Sequence, residues 1–221
     1  MQIPGSEKAV PAFRQVLVLV AALLLAAPAC ADPDEDYAAG VAAHRVNDLV
    51  GAMTPLKRAA DAGHPAAQAL YGDILDRAEL NDEAVSYLRK AAEQGNADGQ
   101  YGLAVMYLTG EGVVRDDAEA GRWMRAAAAQ DHLYAVIALA KAYINGDERL
   151  GAASRSDAAA GPLLVKAAES GELVAMDALA KAYVSGEYGL EADPAQAEQW
   201  TARAARARAE RFGPAPAGKK R

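Results

Sequence analysis

The six residues ALAKAY occupy Ala138–Tyr143, and the same six return at Ala178–Tyr183. INGD follows the first copy and VSGE the second. One helical phrase written twice at a fixed offset is the mark of a repeat architecture, which predicts the same period along the rest of the chain. The pattern Ala-Ala, polar residue, Gly extends it. AADAG starts at Ala59, AAEQG at Ala91 and AAESG at Ala167. AAAQD, from Ala127, is a weaker copy with Asp131 in the glycine slot, and Ala204-Ala205 is a degenerate last one. The steps are 32, 36, 40 and 37 residues, the period of helix-turn-helix solenoids.

Large apolar residues recur in register after each turn: Tyr71, Leu103, Leu139 and Leu179. A small residue follows each, at Gly72, Ala104, Ala140 and Ala180. Leu75, Tyr107, Tyr143 and Tyr183 come four residues after the first set. A spacing of four puts both large residues on one helical face, and the small one lets a neighbouring helix approach closely. Gly110, Gly146 and Gly186 then close these first helices as left-handed caps. Leu139 and Tyr143 are expected in the core. Lys141, two residues from each, faces the other way and shares a surface with Lys181.

The second helix of each unit has its own start signal. Asp48, Asp116 and Asp193 are N-cap candidates, because a carboxylate accepts from unpaired backbone N–H groups. Each is followed after four residues by Ala52, Ala120 or Ala197, and after seven by a bulky or helix-edge residue, Pro55, Trp123 or Trp200. Pro194 suits a first helical position. Pro162 conflicts with a helix interior, where proline costs ~3 kcal/mol, so that helix either kinks or begins near Pro162.

Composition agrees with helices. The chain of 221 residues is Ala-rich, with two Phe and two Trp, and carries a net charge of −7. No Lys/Arg block of nucleic-acid type crosses it, so no nucleic-acid partner is expected. At the N-terminus, Lys8 and Arg14 precede the apolar run Val16 to Ala27, which is too short for a bilayer span of ~20 residues. Small-x-small sites follow at Ala27-Pro28-Ala29 and Ala29-Cys30-Ala31. This is signal-peptide anatomy over residues 1–29, with cleavage after residue 29 or 31, and it implies an exported protein, periplasmic or secreted, with no transmembrane span once the signal is removed. Cys30 is the sole cysteine, so no internal disulfide exists; it is also the candidate for a lipid anchor, although Ala27 stands where lipoprotein signals usually carry Leu.

The stretch AAEQGNADGQYGLAVMYLTGEGVVRDDAEAGRWMRAAA, residues 91–128, resembles the Sel-one-like repeat (SLR) family, relatives of the tetratricopeptide repeat. The residues carrying the likeness are Leu103-Ala104, Tyr107, Gly110-Glu111-Gly112-Val113, Asp116, Ala120, Trp123 and Ala127-Ala128, with Ala104 replacing the family's Gly. The resemblance reaches from about Asp36 to Ala205 and implies an all-α, right-handed α/α superhelical solenoid of about five helix-turn-helix repeats over residues 32–209. The unit after Gly63 shortens the Gly-x-Gly loop to RAELND, and the unit after Asp131 stretches it to NGDERLGAASRS. Residues 210–221 read as a disordered basic tail. Cysteine-rich bacterial members, for which β-lactam binding or hydrolysis has been proposed, carry a cysteine pair per repeat; this chain has none after Cys30.

No catalytic or cofactor motif emerges. His44, His64 and His132 lack ligand spacing, and His64 and His132 share a turn slot. Asp116-Asp117 reads as an N-cap and its neighbour rather than a catalytic pair. The expectation is a non-enzymatic exported scaffold without cofactor or metal, binding a protein or peptide on the surface lined by first helices. The outward positions nominated for that contact are Asp73; Asp98, Tyr101 and Val105; Tyr134, Ile137 and Lys141; and Asp177 and Lys181. Two other readings stand beside it. One is a cell-wall or glycan-binding module using Arg203, Arg206, Arg208 and Arg211; the other is an envelope hydrolase of the repeat family.

Overall fold

The computed structural model describes residues 32–152 and 157–213. The signal segment, Cys30 and residues 214–221 lie outside them. Among the described residues there are ten α-helices in five hairpins. The first helices are α1 (Pro33–Arg45), α3 (Pro65–Arg77), α5 (Ala97–Thr109), α7 (Leu133–Asn145) and α9 (Leu173–Ser185). The second helices are α2 (Leu49–Asp61), α4 (Asn81–Glu93), α6 (Asp117–Ala129), α8 (Ala160–Glu169) and α10 (Pro194–Phe212). A 3-10 turn, Glu148–Leu150, lies between α7 and α8. Each helix packs on its hairpin partner, and each hairpin packs on the next in sequence, which is the connectivity of a solenoid.

All five first helices have 13 residues, so their register can be compared slot by slot. Leu103, Leu139 and Leu179 are almost fully buried at the seventh position. The small eighth residue does what the pattern predicts. A Cβ added at Gly72 would lie 2.8 Å from Leu88 Cγ, so glycine there makes room for α4. At the eleventh position Tyr143 is buried, whereas the equivalent Tyr107 and Tyr183 are half-buried. The difference follows the loops. The backbone N–H groups of Asp116 and Asp193 close onto the carbonyls of Tyr107 and Tyr183. The longer connection after Tyr143 instead presents Asp157, whose Oδ2 accepts from the tyrosine hydroxyl at 2.6 Å.

Buried polar residues, Asp36, Gln68 and Gln100, occupy the fourth position of the first three first helices and tie helices together there, Asp36 within its hairpin and the two glutamines also to the preceding one. Asp36 is held by Arg58, whose Nε donates at 2.9 Å. Gln68 donates to the Ala60 carbonyl and accepts from Gln94; Gln100 donates to the Ala92 carbonyl and accepts from Gln130. Buried amides are tolerated because each finds a partner. In α7 and α9 the slot changes to Val136 and Met176, and the joint becomes apolar. Tyr107 and Trp123 pack against both halves of the core, which makes it continuous.

Asp48, Asp116 and Asp193 cap α2, α6 and α10 with their side chains, as their positions predict. Pro162 is the third residue of α8, where its missing N–H is an unpaired donor in any case; the helix begins near it rather than kinking. Pro55 differs from expectation. It lies inside α2, seven residues in, rather than at a helix edge. Asp131 adopts φ +61° in the slot where Gly63, Gly95 and Gly171 have positive φ, so this turn keeps its shape at a cost in backbone strain. At the C-terminal end α10 runs to Phe212, three residues beyond the boundary drawn at residue 209.

Candidate protein-binding groove

The exposed stripe of a first helix is set by its second, fifth and ninth positions, spaced three and four apart. The nominated residues fall on that stripe: Asp98 and Tyr134 at the second, Tyr101, Ile137 and Asp177 at the fifth, and Asp73, Val105, Lys141 and Lys181 at the ninth. Five of them meet in one groove of about 460 Å³. Asp73 comes from α3, Asp98, Tyr101 and Val105 from α5, and Tyr134 from the first turn of α7. Leu70, Asp76 and Arg77 of α3, Leu88 of α4, Gly102 and His132 complete the walls. A smaller depression of about 290 Å³ gathers Asp177 and Lys181 with Ile144 and Val174. Ile137 and Lys141 lie on the stripe but line neither hollow.

His132 organises one wall. Its Nδ1 accepts from the Ala135 backbone N–H at 3.2 Å and caps α7; its Nε2 lies 3.2 Å from Asp98 Oδ1. Accepting at Nδ1 places the ring hydrogen on Nε2, facing the carboxylate. The ring stacks on Tyr101 at 4.7 Å, and Tyr134 leans against Tyr101 at 6.0 Å. The same unit is built two junctions earlier, where His64 caps α3 through Ala67, stacks on Tyr37 at 4.5 Å and lies 3.3 Å from Asp34. The shared turn slot of the two histidines is therefore a helix cap. Tyr134 remains 64% exposed, which makes it the large apolar surface most available to a partner in this groove.

Charge in the groove is unbalanced: three carboxylates, Asp73, Asp76 and Asp98, line it against one guanidinium. Asp73 pairs with Arg77 at 3.0 Å. Asp76 makes no ion pair among the described residues; burial, then Glu111, then Asp73 hold its carboxyl above the ordinary carboxylate range, against a smaller pull from Arg77. Gly102 shapes the floor, because a Cβ there would lie 2.7 Å from Leu88 Cδ2. Asp76, Leu88, Gly102 and His132 were not among the nominated residues. Asp76 was within reach of the sequence, since it lies three residues after Asp73 on the same face. The closeness of Gly102 to Leu88 depends on packing between hairpins, which no single-helix pattern encodes.

Elsewhere the predicted basic strip is partly neutralised. Lys141 pairs with Glu172 at 3.0 Å, and Asp177 with Arg208 at 2.7 Å, which ties α9 to α10. Of the remaining C-terminal arginines, Arg206 pairs with Glu210, while Arg203 and Arg211 lie over the rings of Trp200 and Phe212. Asp117, beside the N-cap Asp116, is engaged by Arg115 in two hydrogen bonds of 3.0 Å.

The Sel1 repeat model matches residues 65–96, 97–132 and 173–208, which are the hairpins α3–α4, α5–α6 and most of α9–α10. This chain is a Sel1-repeat protein. Hairpins α1–α2 and α7–α8 are unmatched; α7–α8 carries the stretched connection, and the groove spans the junction where it meets its matched neighbour α5–α6. Among solved structures, the chain is similar to a protective antigen present in uropathogenic Escherichia coli strains that displays an SLR fold. The identity is 27% and the TM-score 0.64, over 79% of this chain and 38% of that one. A Sel1 repeat protein from Oxalobacter formigenes is 29% identical with a TM-score of 0.60, over 71% of this chain and 45% of its own. The chain thus spans less than half the length of either. No curated protein matches it.

Proposed function

We propose that this Sel1-repeat protein is a non-catalytic scaffold that binds a protein or peptide along its first-helix stripe, with the groove between α3, α5 and α7 as the main contact. The observation that carries this reading is the convergence of Asp73, Asp98, Tyr101, Val105 and Tyr134 in one hollow with an exposed aromatic at its rim. Proteins built from Sel1 repeats generally serve as scaffolds for protein interactions, which supports it. Lys141, Ile137, Asp177 and Lys181 extend the stripe and serve as secondary contacts. The signal-like N-terminus supports an exported location, and Cys30 is the residue an anchor would use; the intact mass of the cell-derived protein distinguishes cleavage from lipidation. The arginines of α10 are engaged within the protein, which favours the groove over a glycan contact.

The test compares Tyr134→Glu with Ser86→Glu, an exposed control on α4. Each immobilised full chain is incubated with extract of the source cells. Proteins retained by wild type and the control, and lost from Tyr134→Glu, are the expected result. Identical recovery by all three would show that the groove is not the contact.

A further inference from the structure

The composition of the groove narrows the chemistry of its occupant. One wall is aromatic: Tyr101, fixed by its stack on His132, with Tyr134 tilted beside it. The opposite wall is acidic, with Asp73 and Asp76 on α3, while Asp98 lies at the α5 rim. Leu70 and Val105 supply half-buried apolar surface in the same hollow. A ring face and a carboxylate both attract a cation, and a long aliphatic stem covers apolar surface while its charged head stays polar. Resting on the scaffold reading above, we propose that the groove takes a basic segment of the partner, with a lysine or arginine side chain lying along Leu70 and Val105 and its head between Tyr134 and the α3 carboxylates.

Three features argue for this occupant. The local pairs leave acidic charge in excess, because Arg77 is the sole guanidinium facing three carboxylates. Asp76 makes no ion pair among the described residues, and Glu111 and Asp73 add like charge beside it that Arg77 only partly offsets, so an incoming cation is favoured there. An acidic segment would meet Asp73, Asp76 and Asp98 together and be rejected, which gives the groove selectivity as well as attraction.

The test is retention of N-acetylated, C-amidated hexapeptide pools by the immobilised full chain at low salt. Each pool fixes one residue type at the third position and mixes the others. Lys and Arg pools retained above Asp and Glu pools, with the preference falling roughly fivefold in Asp76→Asn/Asp98→Asn and in Tyr134→Ala, is the expected result. Circular dichroism of each variant confirms that the helices persist. Equal retention of acidic and basic pools by wild type, with loss in Tyr134→Ala, would overturn the charge assignment and leave the scaffold reading standing. A basic preference untouched by all the substitutions would place the site elsewhere, and no retention of any pool would overturn both readings.

Discussion

The imidazole of His132 links two hairpins: Nδ1 caps α7 while Nε2 faces Asp98 on α5, 3.2 Å away. The cap and the stack on Tyr101 can be separated by substitution. His132→Ala removes both and is expected to cost roughly 1–3 kcal/mol, summing a lost cap and a lost ring contact. His132→Asn keeps a capping oxygen and loses the stack, so it should fall between wild type and alanine in urea denaturation. Asparagine as damaging as alanine would show that the cap is not what the histidine contributes.

Tyr143 supplies an alkaline signature. Burial, then its hydrogen bond to Asp157, pushes its hydroxyl up to about 12. In the unfolded chain a tyrosine ionises near ~10, so the folded state holds this proton more tightly. The resulting stability is fully present below about pH 10 and is lost as pH rises through about 12. Tyr143→Phe is expected to cost roughly 1.5–3 kcal/mol near neutrality, for a hydrogen bond to a charged acceptor, and the gap to wild type should narrow above pH 10. A constant gap across that range would rule out the linkage.

The period and the stripe were legible in the sequence because both follow from spacing along single helices. Residues 59, 91, 127 and 167 mark the turns, and the positions three and four apart carry the exposed face. Contacts between hairpins were not legible. Nothing local to Lys141 announces Glu172, and nothing local to Gln100 announces the Ala92 carbonyl; both contacts exist because consecutive hairpins stack. The unequal burial of Tyr107, Tyr143 and Tyr183 was not legible either, since it depends on how each loop within a hairpin returns to its first helix. The histidine caps were read as turn residues because imidazole is not among the common N-cap side chains.

Asp36 supplies the matching acid signature. Its hydrogen bonds from Arg58 hold its carboxyl below the usual carboxylate range, against an opposing push from burial. Its folded value is depressed, so the stability it contributes is present above its unfolded value of about 3.9 and is lost as pH falls through the folded one. Asp36→Asn should therefore lower stability at neutral pH and flatten the acid limb below about pH 4. Asp61, Asp117, Glu119 and Asp147 are also depressed by basic neighbours, so a residual slope is expected. An acid limb identical to that of wild type would remove Asp36 from the account.

Gly112 and Gly146 have nearly the same left-handed backbone, φ +64° and +66°, in different surroundings. A Cβ at Gly146 would meet nothing within 4 Å. Alanine there bears the conformational penalty alone, about 1 kcal/mol. A Cβ at Gly112 would lie 2.5 Å from the carbonyl oxygen of Asn81, at the start of α4 in the preceding hairpin. Backbone cannot swing aside as a side chain can, so Gly112→Ala must lift the loop off that hairpin, at an expected total of roughly 2–4 kcal/mol. Denaturant unfolding of the two variants measures the difference directly. Equal losses would mean that the loop yields freely and that the second glycine of this turn is not there to let the hairpins close on each other.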